Sequence, residues 1–326
     1  MAPFFTQYSV EKNPPAYEEY SFELPELYRQ IAKEELREDD SVRESSLVEM
    51  RQWIANNPYI RKCRTDAKFL LRFLRFQKFS VPLACEALER YLSVRELYPI
   101  WFKQLDCNDK TMKEILEYDP LTYLGQDSAG RMVMLLRFGR FHAEKHTALQ
   151  DGRYIAMLMD TILEWEEVQI GGCQVLIEYE GCTAASFEKW SSSELKLAMD
   201  LCSQSYPLRY GEIHAFGLPK FGVPAVETLL AFTNPKLRDK IKCHSSVTGL
   251  EKFIEPTMKP REYGGAVDLN QLNHAFRKRI EEQREITLGL DQMEIDVEHY
   301  ASVWEEKEPL SMEATADVLF NPLNIE

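Results

Sequence analysis

The hydrophobic positions between residues 26 and 118 recur with the spacing of an α-helix. The first periodic segment follows Ser41-Val-Arg-Glu44, which predicts a capping box at a helix start. A second helix is predicted to open near Asp66, with its apolar residues on one face and Arg72 and Arg75 on the opposite face. We therefore predict an N-terminal helical domain over residues 26–118.

The pattern changes after Pro120. Short apolar runs at 121–124 and 132–138 flank a Gly-containing turn, which predicts a strand, a turn and a second strand. Strand and helix patterns then alternate, with strands predicted at 173–179, 213–216 and 242–247 and helices at 147–169, 187–203, 224–232 and from Lys252 onward. Such alternation predicts an α/β domain over residues 119–270, with a mostly parallel sheet covered by helices.

Two terminal segments differ in composition from the rest. Residues 1–25 contain four prolines and little periodicity, which predicts a flexible arm. Residues 281–326 hold 13 of the acidic residues but only 2 Lys or Arg, and we interpret 271–326 as an acidic C-terminal extension. The chain has a net charge of −14, so its first 280 residues carry only about −3. A local basic surface is compatible with that balance, whereas a nucleic-acid partner is not expected.

The cysteines and the apolar runs indicate the cellular compartment in which the protein resides. There are seven cysteines, an odd number without a CxxC pair, which favours reduced thiols over a disulfide framework. The first residues lack the basic and apolar regions of a signal peptide, and no apolar run reaches the roughly 20 residues that span a bilayer. We expect a soluble cytoplasmic protein that associates with membranes transiently.

Motifs of catalysis are scarce. The sequence has no GxxxxGK[ST], GxGxxG, GxSxG or HExxH motif. His142 and His146 have a spacing that can serve a metal, but no third ligand is evident, so we interpret them as a solvated pair. Glu178 and Glu180 alternate along a strand and could act as paired carboxylates, although a non-catalytic polar edge is the favoured interpretation. We expect no enzyme activity, no metal and no cofactor.

Several motifs together resemble a known family. The helical unit contains Phe69-Leu-Leu-Arg-Phe-Leu-Arg75, and the α/β unit closes on Lys259-Pro-Arg-Glu-Tyr-Gly-Gly265. Between them lie Glu180-Gly181, Tyr206-Pro-Leu208 and Ile213-His214, in that order. From about Ser41 to Gly265 the chain resembles the CRAL-TRIO lipid-binding proteins, and within them the branch of the tocopherol and retinaldehyde carriers, including insect members.

This resemblance implies a lipid chamber with the sheet as its floor and a mobile gate over Gly217–Phe232. Gly217, Pro219, Gly222 and Pro224 can serve as hinges of that gate. Its apolar side would cover the ligand when closed and contact a bilayer when open. For each single residue assigned to the chamber, ordinary core packing is an equal alternative. The assigned lipid-binding residues are Val133, Leu135, Ile155, Met159, Val175, Ile177, Leu201, Ile213, Phe216, Val226, Leu229 and Phe232.

The resemblance also implies a basic patch that binds phosphoinositide headgroups beside the gate. The residues at the matching positions are Arg95, Arg209, Lys236 and Lys240. One basic position of the family falls on Gly211, which leaves the strength and headgroup preference of the patch open. Lys and Arg that converge from separate segments can hold phosphates by charge-assisted hydrogen bonds. A solvated charged face is the alternative.

Taken together, these features predict a carrier that sequesters a small hydrophobic ligand and exchanges it at phosphoinositide-containing membranes. Tocopherol, a retinoid, another isoprenoid or a phospholipid would each suit an apolar pocket with a few polar groups. An interaction adaptor without transfer activity and a phospholipid-acting enzyme are the alternative functions.

Overall fold

The computed structural model describes residues 8–299, apart from the side chain of Ser203. Its strands are β1 (Ile60–Lys62), β2 (Leu121–Gln126), β3 (Met132–Arg137), β4 (Cys173–Glu178), β5 (Tyr210–Phe216), β6 (Ile241–His244) and β7 (Glu294–Ile295). Its helices are α1 (Glu26–Ile31), α2 (Asp40–Asn56), α3 (Ala67–Phe76), α4 (Val81–Leu97), α5 (Pro99–Phe102), α6 (Lys110–Glu117), α7 (Ala148–Ile162), α8 (Glu166–Gly171), α9 (Ala184–Glu188), α10 (Ser192–Asp200), α11 (Val223–Ala231), α12 (Pro235–Arg238), α13 (Leu269–Glu282) and α14 (Arg284–Gly289).

A five-stranded sheet lies at the centre, with the strand order β2-β3-β4-β5-β6. β2 and β3 are antiparallel, whereas β3, β4, β5 and β6 are parallel neighbours. The parallel strands are connected through helices, as the right-handed crossover rule leads one to expect. The predicted α/β class with a mostly parallel, helix-covered sheet is confirmed.

Several predicted boundaries need correction. The capping box expected at Ser41 is not used, because α2 begins at Asp40 and the carboxylate of Asp39 accepts the hydrogen bond of the Val42 backbone N–H. The helix predicted over 147–169 is divided into α7 and α8, because the chain becomes extended at Trp165. The helix predicted over 187–203 is likewise divided, and α10 has its own N-cap at Ser191.

The arginines of α3 are buried, although the periodicity placed them on a polar face. Arg72 and Arg64 share the carboxylate of Glu164, with Nη-to-Oε1 distances of 2.5 and 2.7 Å. Arg75 donates to Glu38 and, at 2.9 Å, to Glu166 at the start of α8. Because each guanidinium meets a carboxylate, these buried ion pairs join the helical unit to the α7–α8 segment.

Residues 8–25, predicted to be a flexible arm, lie along the helical unit. The aromatic rings of this segment stack on arginines: Tyr8 on Arg64 at 4.1 Å and Tyr17 on Arg51 at 4.1 Å. The Cys63 backbone N–H also donates to the carbonyl of Val10. Cation–π contacts of this kind hold a segment that has no periodicity of its own.

The first part of the predicted acidic extension is also folded. Phe276 and Ile280 of α13 are buried in the main core, and β7 pairs with β1. The guanidinium of Arg279 lies 3.3 Å from the ring centre of Trp165. The remainder of the predicted extension, residues 300–326, lies outside the described residues.

Candidate functional site

The two faces of the central sheet bury their side chains to different degrees. Register places Met134, Val175, Ile213 and Ile241 in one row on the front face, because residues paired across parallel strands point to the same side. A second front row consists of Leu136, Ile177, Ala215 and Cys243. The back-face side chains pack against residues 247–272 in a closed hydrophobic cluster. The front face is therefore the side on which a chamber can lie.

Apolar side chains of the front face are only half-buried at its β4–β6 end. Ile177, Ile213 and Ile241 are neither exposed nor fully buried. Within residues 8–299 they belong to none of the packed hydrophobic clusters, whereas Met132 and Met134 do. Protein interiors are normally close-packed, so half-buried apolar residues outside the packed clusters make this end of the front face the candidate surface for a lipophilic ligand.

The segment expected to form the gate is arranged in the same way. α11 carries Val226, Leu229 and Leu230, all half-buried and outside the packed clusters of the described chain. α11 contacts α10, and the Thr233 hydroxyl donates to the sulfur of Met199 at 3.0 Å. An apolar helix that buries none of its residues completely is a cover rather than a core element.

The amino-terminal end of this segment has tight backbone geometry. Gly217 has a φ of +66°, which favours glycine, and its N–H donates to the carbonyl of His244 on β6. A Cβ on Gly222 would lie 2.6 Å from Cζ of Phe187, so any larger residue there would have to displace the Phe187 ring. Phe221, next to this contact, is 50% exposed. After β5 the chain thus passes through two positions, 217 and 222, at which glycine is favoured, the first by its backbone conformation and the second by the contact with Phe187.

Three of the twelve residues assigned to the chamber require correction. Val133, Leu135 and Phe216 are 1%, 0% and 1% exposed and belong to the back-face cluster. Because alternate residues of a strand point to opposite faces, they cannot line a chamber that faces Val175 and Ile177.

The structure places the other assigned residues as follows. Val175, Ile177 and Ile213 are on the front face of the sheet. Met159 and Leu201 belong to the main core, and Ile155 packs against it. Val226, Leu229 and Phe232 lie on or directly after α11.

Sequence reasoning missed Leu136, Ile241 and Cys243, which share the front face with Ile177. Ile241 and Cys243 alternate with Lys242 and His244, a period-two pattern that could have identified them. The strand was predicted to start at Lys242, one residue after its observed start, so Ile241 was left out.

Arg95 is not available to a membrane lipid, which corrects its assignment to the basic patch. It is 3% exposed, and its guanidinium donates to Asp160 at 2.6 Å and to Asp291 at 3.1 Å. Asp160 also accepts from the Tyr91 hydroxyl at 2.8 Å. Arg95 therefore neutralises a buried carboxylate inside the fold.

The other predicted basic residues are at the surface. Lys236 and Lys240 are exposed, and Arg209 is half-buried. Arg209 donates to Glu35 at 2.7 Å, and Lys240 donates to the carbonyl of Tyr210. Burial lowers the pKa of Lys240, and the charges of Arg209 and Lys78 lower it further. Arg209 and Lys78 thus each act on Lys240 as a like charge.

The described residues offer little for catalysis. His142 contacts Glu144 and, like His146, the ring of Tyr118. Glu178 is buried on the back face and accepts from the Tyr263 hydroxyl, and burial raises its pKa. Within residues 8–299 no three His, Cys, Asp or Glu side chains are grouped as a metal site, and no helix is long and apolar enough to cross a bilayer.

Comparison with known sequences shows which protein family the region of the central sheet matches. The sequence profile of the CRAL/TRIO domain matches residues 116–265. Residues 116–265 are a CRAL/TRIO domain. A second profile, the Pinta-like UBA domain, matches residues 39–112. The CRAL/TRIO domain thus contains the whole five-stranded sheet and the gate segment.

Curated relatives extend the similarity beyond this domain. Clavesin-1 of Rattus norvegicus is 29% identical over 239 residues, which cover 72% of this chain and 67% of the relative. Clavesin-2 of Homo sapiens is 26% identical over 294 residues, which cover 88% of each chain. Among solved structures, the crystal structure of Sfh5 matches with a TM-score of 0.46 and 13% identity, covering 81% of this chain and 100% of that chain.

Proposed function

We propose that this chain carries a small lipophilic ligand between the front face of the sheet and the gate helix α11, and exchanges it at membranes that contain phosphoinositides. The observation that carries the proposal is the set of half-buried apolar side chains, typified by Ile177 and Ile213, that belong to no packed cluster of the described residues. A lipophilic ligand would complete their packing and remove their surface from water. Tocopherol and retinoids are the ligand classes that the resemblance favours.

A closed chamber must open to exchange its ligand. Exposing Val226, Leu229 and Phe232 to water is unfavourable, whereas a bilayer accepts the same apolar face. Basic residues close to the gate would bring it to an anionic surface, and Lys236 follows α11 directly on α12. Binding at the membrane would thereby favour the open state through its higher affinity for that state.

Ligand binding is tested by extracting lipid from the purified protein and identifying it by mass spectrometry. We expect about one lipophilic molecule per chain. Ile177→Asp should abolish retention, because the ligand would then face an ionised carboxylate in an apolar chamber. Ile177→Val, which keeps the apolar character, is the matched control. Full lipid loading of Ile177→Asp would contradict the assignment of the chamber.

Exchange is tested by vesicle-to-vesicle transfer of a fluorescent lipophile. Replacing Leu229 and Phe232 together by Ser should slow transfer, and a phosphoinositide in the acceptor vesicles should accelerate transfer by the unmodified protein. Val48→Ser is the control, since Val48 is 63% exposed on α2, outside the gate. A transfer rate that responds to neither change would leave a lipid-binding adaptor without membrane-gated transfer.

A further inference from the structure

Two imidazole rings, those of His214 and His244, meet on the back face of β5 and β6. Nδ1 of His214 lies 3.1 Å from Nε2 of His244, and the two ring centres are 5.3 Å apart. His214 is 3% exposed, and His244 is half-buried. Two ring nitrogens at this distance form a hydrogen bond only when one of them carries a hydrogen and the other does not. The histidine pair is therefore sensitive to the number of protons it holds.

Phenyl rings enclose the histidine pair. The ring centre of Phe253 lies 4.1 Å from that of His214, and the ring of Phe216 stacks on His244 with centres 4.4 Å apart. Phe216 belongs to the closed back-face cluster, and Phe253 packs against it. These surroundings keep water from the imidazoles, and burial accordingly lowers the pKa of His214. The neutral form of the pair is thus the one that the closed fold favours.

A carboxylate sets the direction of the hydrogen bonds. Oε2 of Glu212 lies 3.1 Å from Nε2 of His214. An ionised carboxylate only accepts, so Nε2 of His214 donates to it, and in the neutral pair Nδ1 of His214 accepts from His244. One added proton still leaves a single hydrogen between the two rings, whichever ring carries the charge. A second added proton places a hydrogen on both facing nitrogens, which breaks their hydrogen bond and sets two positive charges against each other.

The charged groups near the histidine pair lie on three strands and on the segment that carries Phe253. They are Glu212 on β5, Lys242 on β6, Glu178 on β4, and Glu251 and Lys252 directly before Phe253. A tyrosine hydroxyl donates to Glu178, and a backbone N–H donates to Glu251 at 3.0 Å. The side chain of Glu212 is 56% exposed, so solvent screens its charge, and Lys242 opposes protonation of His214. These groups therefore offset little of the repulsion that a second proton creates.

The same two strands hold the first hinge of the gate segment. The Gly217 N–H donates to the carbonyl of His244 at 3.1 Å, and Phe216 is paired with His244 between the strands. A Cβ built on Gly217 would lie 3.5 Å from the backbone nitrogen of Val247, so this hinge also lies against the chain that follows β6. The hinge hydrogen bond requires β5 and β6 to stay side by side at their ends. Repulsion between the two imidazoles acts on that spacing.

We propose that His214 and His244 form an acid-sensitive latch, which holds the first hinge of the gate closed at neutral pH and releases it when both rings are protonated. This inference rests on the proposed lipid exchange. The closed state holds the second proton less tightly than an open state with hydrated imidazoles, so acid shifts the gate towards opening below the ordinary imidazole pKa of about 6.5. An anionic bilayer supplies such acidity, because a surface potential of about −30 mV concentrates protons about threefold.

The test follows the co-purified lipid as it leaves the full chain for neutral phosphatidylcholine vesicles, which are floated and analysed by mass spectrometry. From pH 7.5 to pH 5.5 the transfer rate should rise up to about tenfold, the limit for one extra proton on an imidazole of ordinary pKa. In the double variant His214→Gln with His244→Gln the side chains still hydrogen-bond but do not titrate, so the rate should change by less than about twofold. His274→Gln removes an exposed imidazole of α13 and is the matched control, which should keep the full acid response.

Amide hydrogen exchange separates release of the hinge from general unfolding. After correction for the intrinsic effect of pH on exchange, the amides of residues 216–223 should exchange faster at pH 5.5 than at pH 7.5. The amides of α3, which lies in the helical unit, should not. The acid effect on residues 216–223 should be absent from the double variant. If the double variant melts well below the unmodified protein, the single variant His244→Gln, which leaves one imidazole in place, carries the same expectation.

The failure of this inference and that of the proposed function give different results. If no lipid co-purifies with the unmodified protein, both fail. If a lipid is present but its transfer does not respond to pH, or if the variant without the two imidazoles keeps the acid response, lipid binding stands and the latch is refuted. Equal acceleration of exchange in α3 and in residues 216–223 would also refute the latch, because acid would then act on the whole fold.

Discussion

Replacing Glu164 by Gln should destabilise the protein strongly, because this carboxylate joins the two parts of the fold. Glu164 is 3% exposed, and it accepts from Arg64, which is 2% exposed, and from Arg72, which is completely buried. The substitution keeps the size of the side chain but removes the counter-charge of the buried Arg72, whereas Arg64 keeps its ion pair with Asp66. Breaking a buried pair by removing one partner costs about 3–5 kcal/mol.

The pKa of Glu164 gives a second measure of how much this carboxylate contributes to the stability of the fold. Burial alone would raise it, but Arg72 and Arg64 outweigh that effect and hold it at about 2, below the ordinary 4.5. A shift of this size corresponds to about 3 kcal/mol of folding free energy. Because the pKa in the folded state is depressed, this contribution is complete above pH 4.5 and is lost as the pH falls from 4.5 towards 2.

Urea unfolding at a series of pH values measures the effect. The difference in unfolding free energy between the unmodified protein and Glu164→Gln should be about 3–5 kcal/mol at pH 7 and should shrink below pH 4.5. Glu282→Gln is the control, because its pair with Lys278 is exposed and should contribute less than about 0.5 kcal/mol. A difference below about 1 kcal/mol at pH 7 would refute the role of Glu164 as a buried clamp.

Three further predictions concern single residues. Arg95→Met should lower the free energy of unfolding in urea by about 3–5 kcal/mol, because Asp160 loses its ion-pair partner. Vesicle binding by the folded protein should stay unchanged. Weaker vesicle binding without destabilisation would instead show that Arg95 belongs to the basic patch. Gly222→Ala should lower the free energy of unfolding in the same assay by about 1–3 kcal/mol, because the new methyl group overpacks against Phe187. Adding Phe187→Leu should recover part of this loss. An unchanged free energy of unfolding would contradict the close contact between residues 222 and 187. Burial lowers the pKa of His214 below 6.5, with Glu212 opposing this and His244 and Lys242 supporting it. Stability should therefore fall as the pH drops below 6.5, and His214→Gln should flatten that dependence; an unchanged slope would exclude His214 as its source.

Periodicity in the sequence was sufficient for the type and order of most elements. Strand β4 and helix α11 lie within one residue of their predicted positions, because each is a short apolar run bounded by Gly or Pro. The breaks within 147–169 and 187–203 could not be predicted in the same way. They depend on where Glu164 meets its arginines and where Ser191 caps a new helix, and the first of these is a contact between distant segments.

The sequence by itself determined that apolar strands, an apolar Gly- and Pro-bounded helix and scattered basic residues were present. Only the tertiary structure decided which of them share a surface. Val133 and Ile177 have the same chemistry, yet strand alternation and register place them on opposite faces of one sheet. Arg95 and Arg131 carry the same charge, yet one lies against a buried aspartate and the other beside the backbone of Gly211. Burial and proximity follow from contacts between residues far apart in the chain, and a local pattern of hydrophobic and polar positions does not contain them.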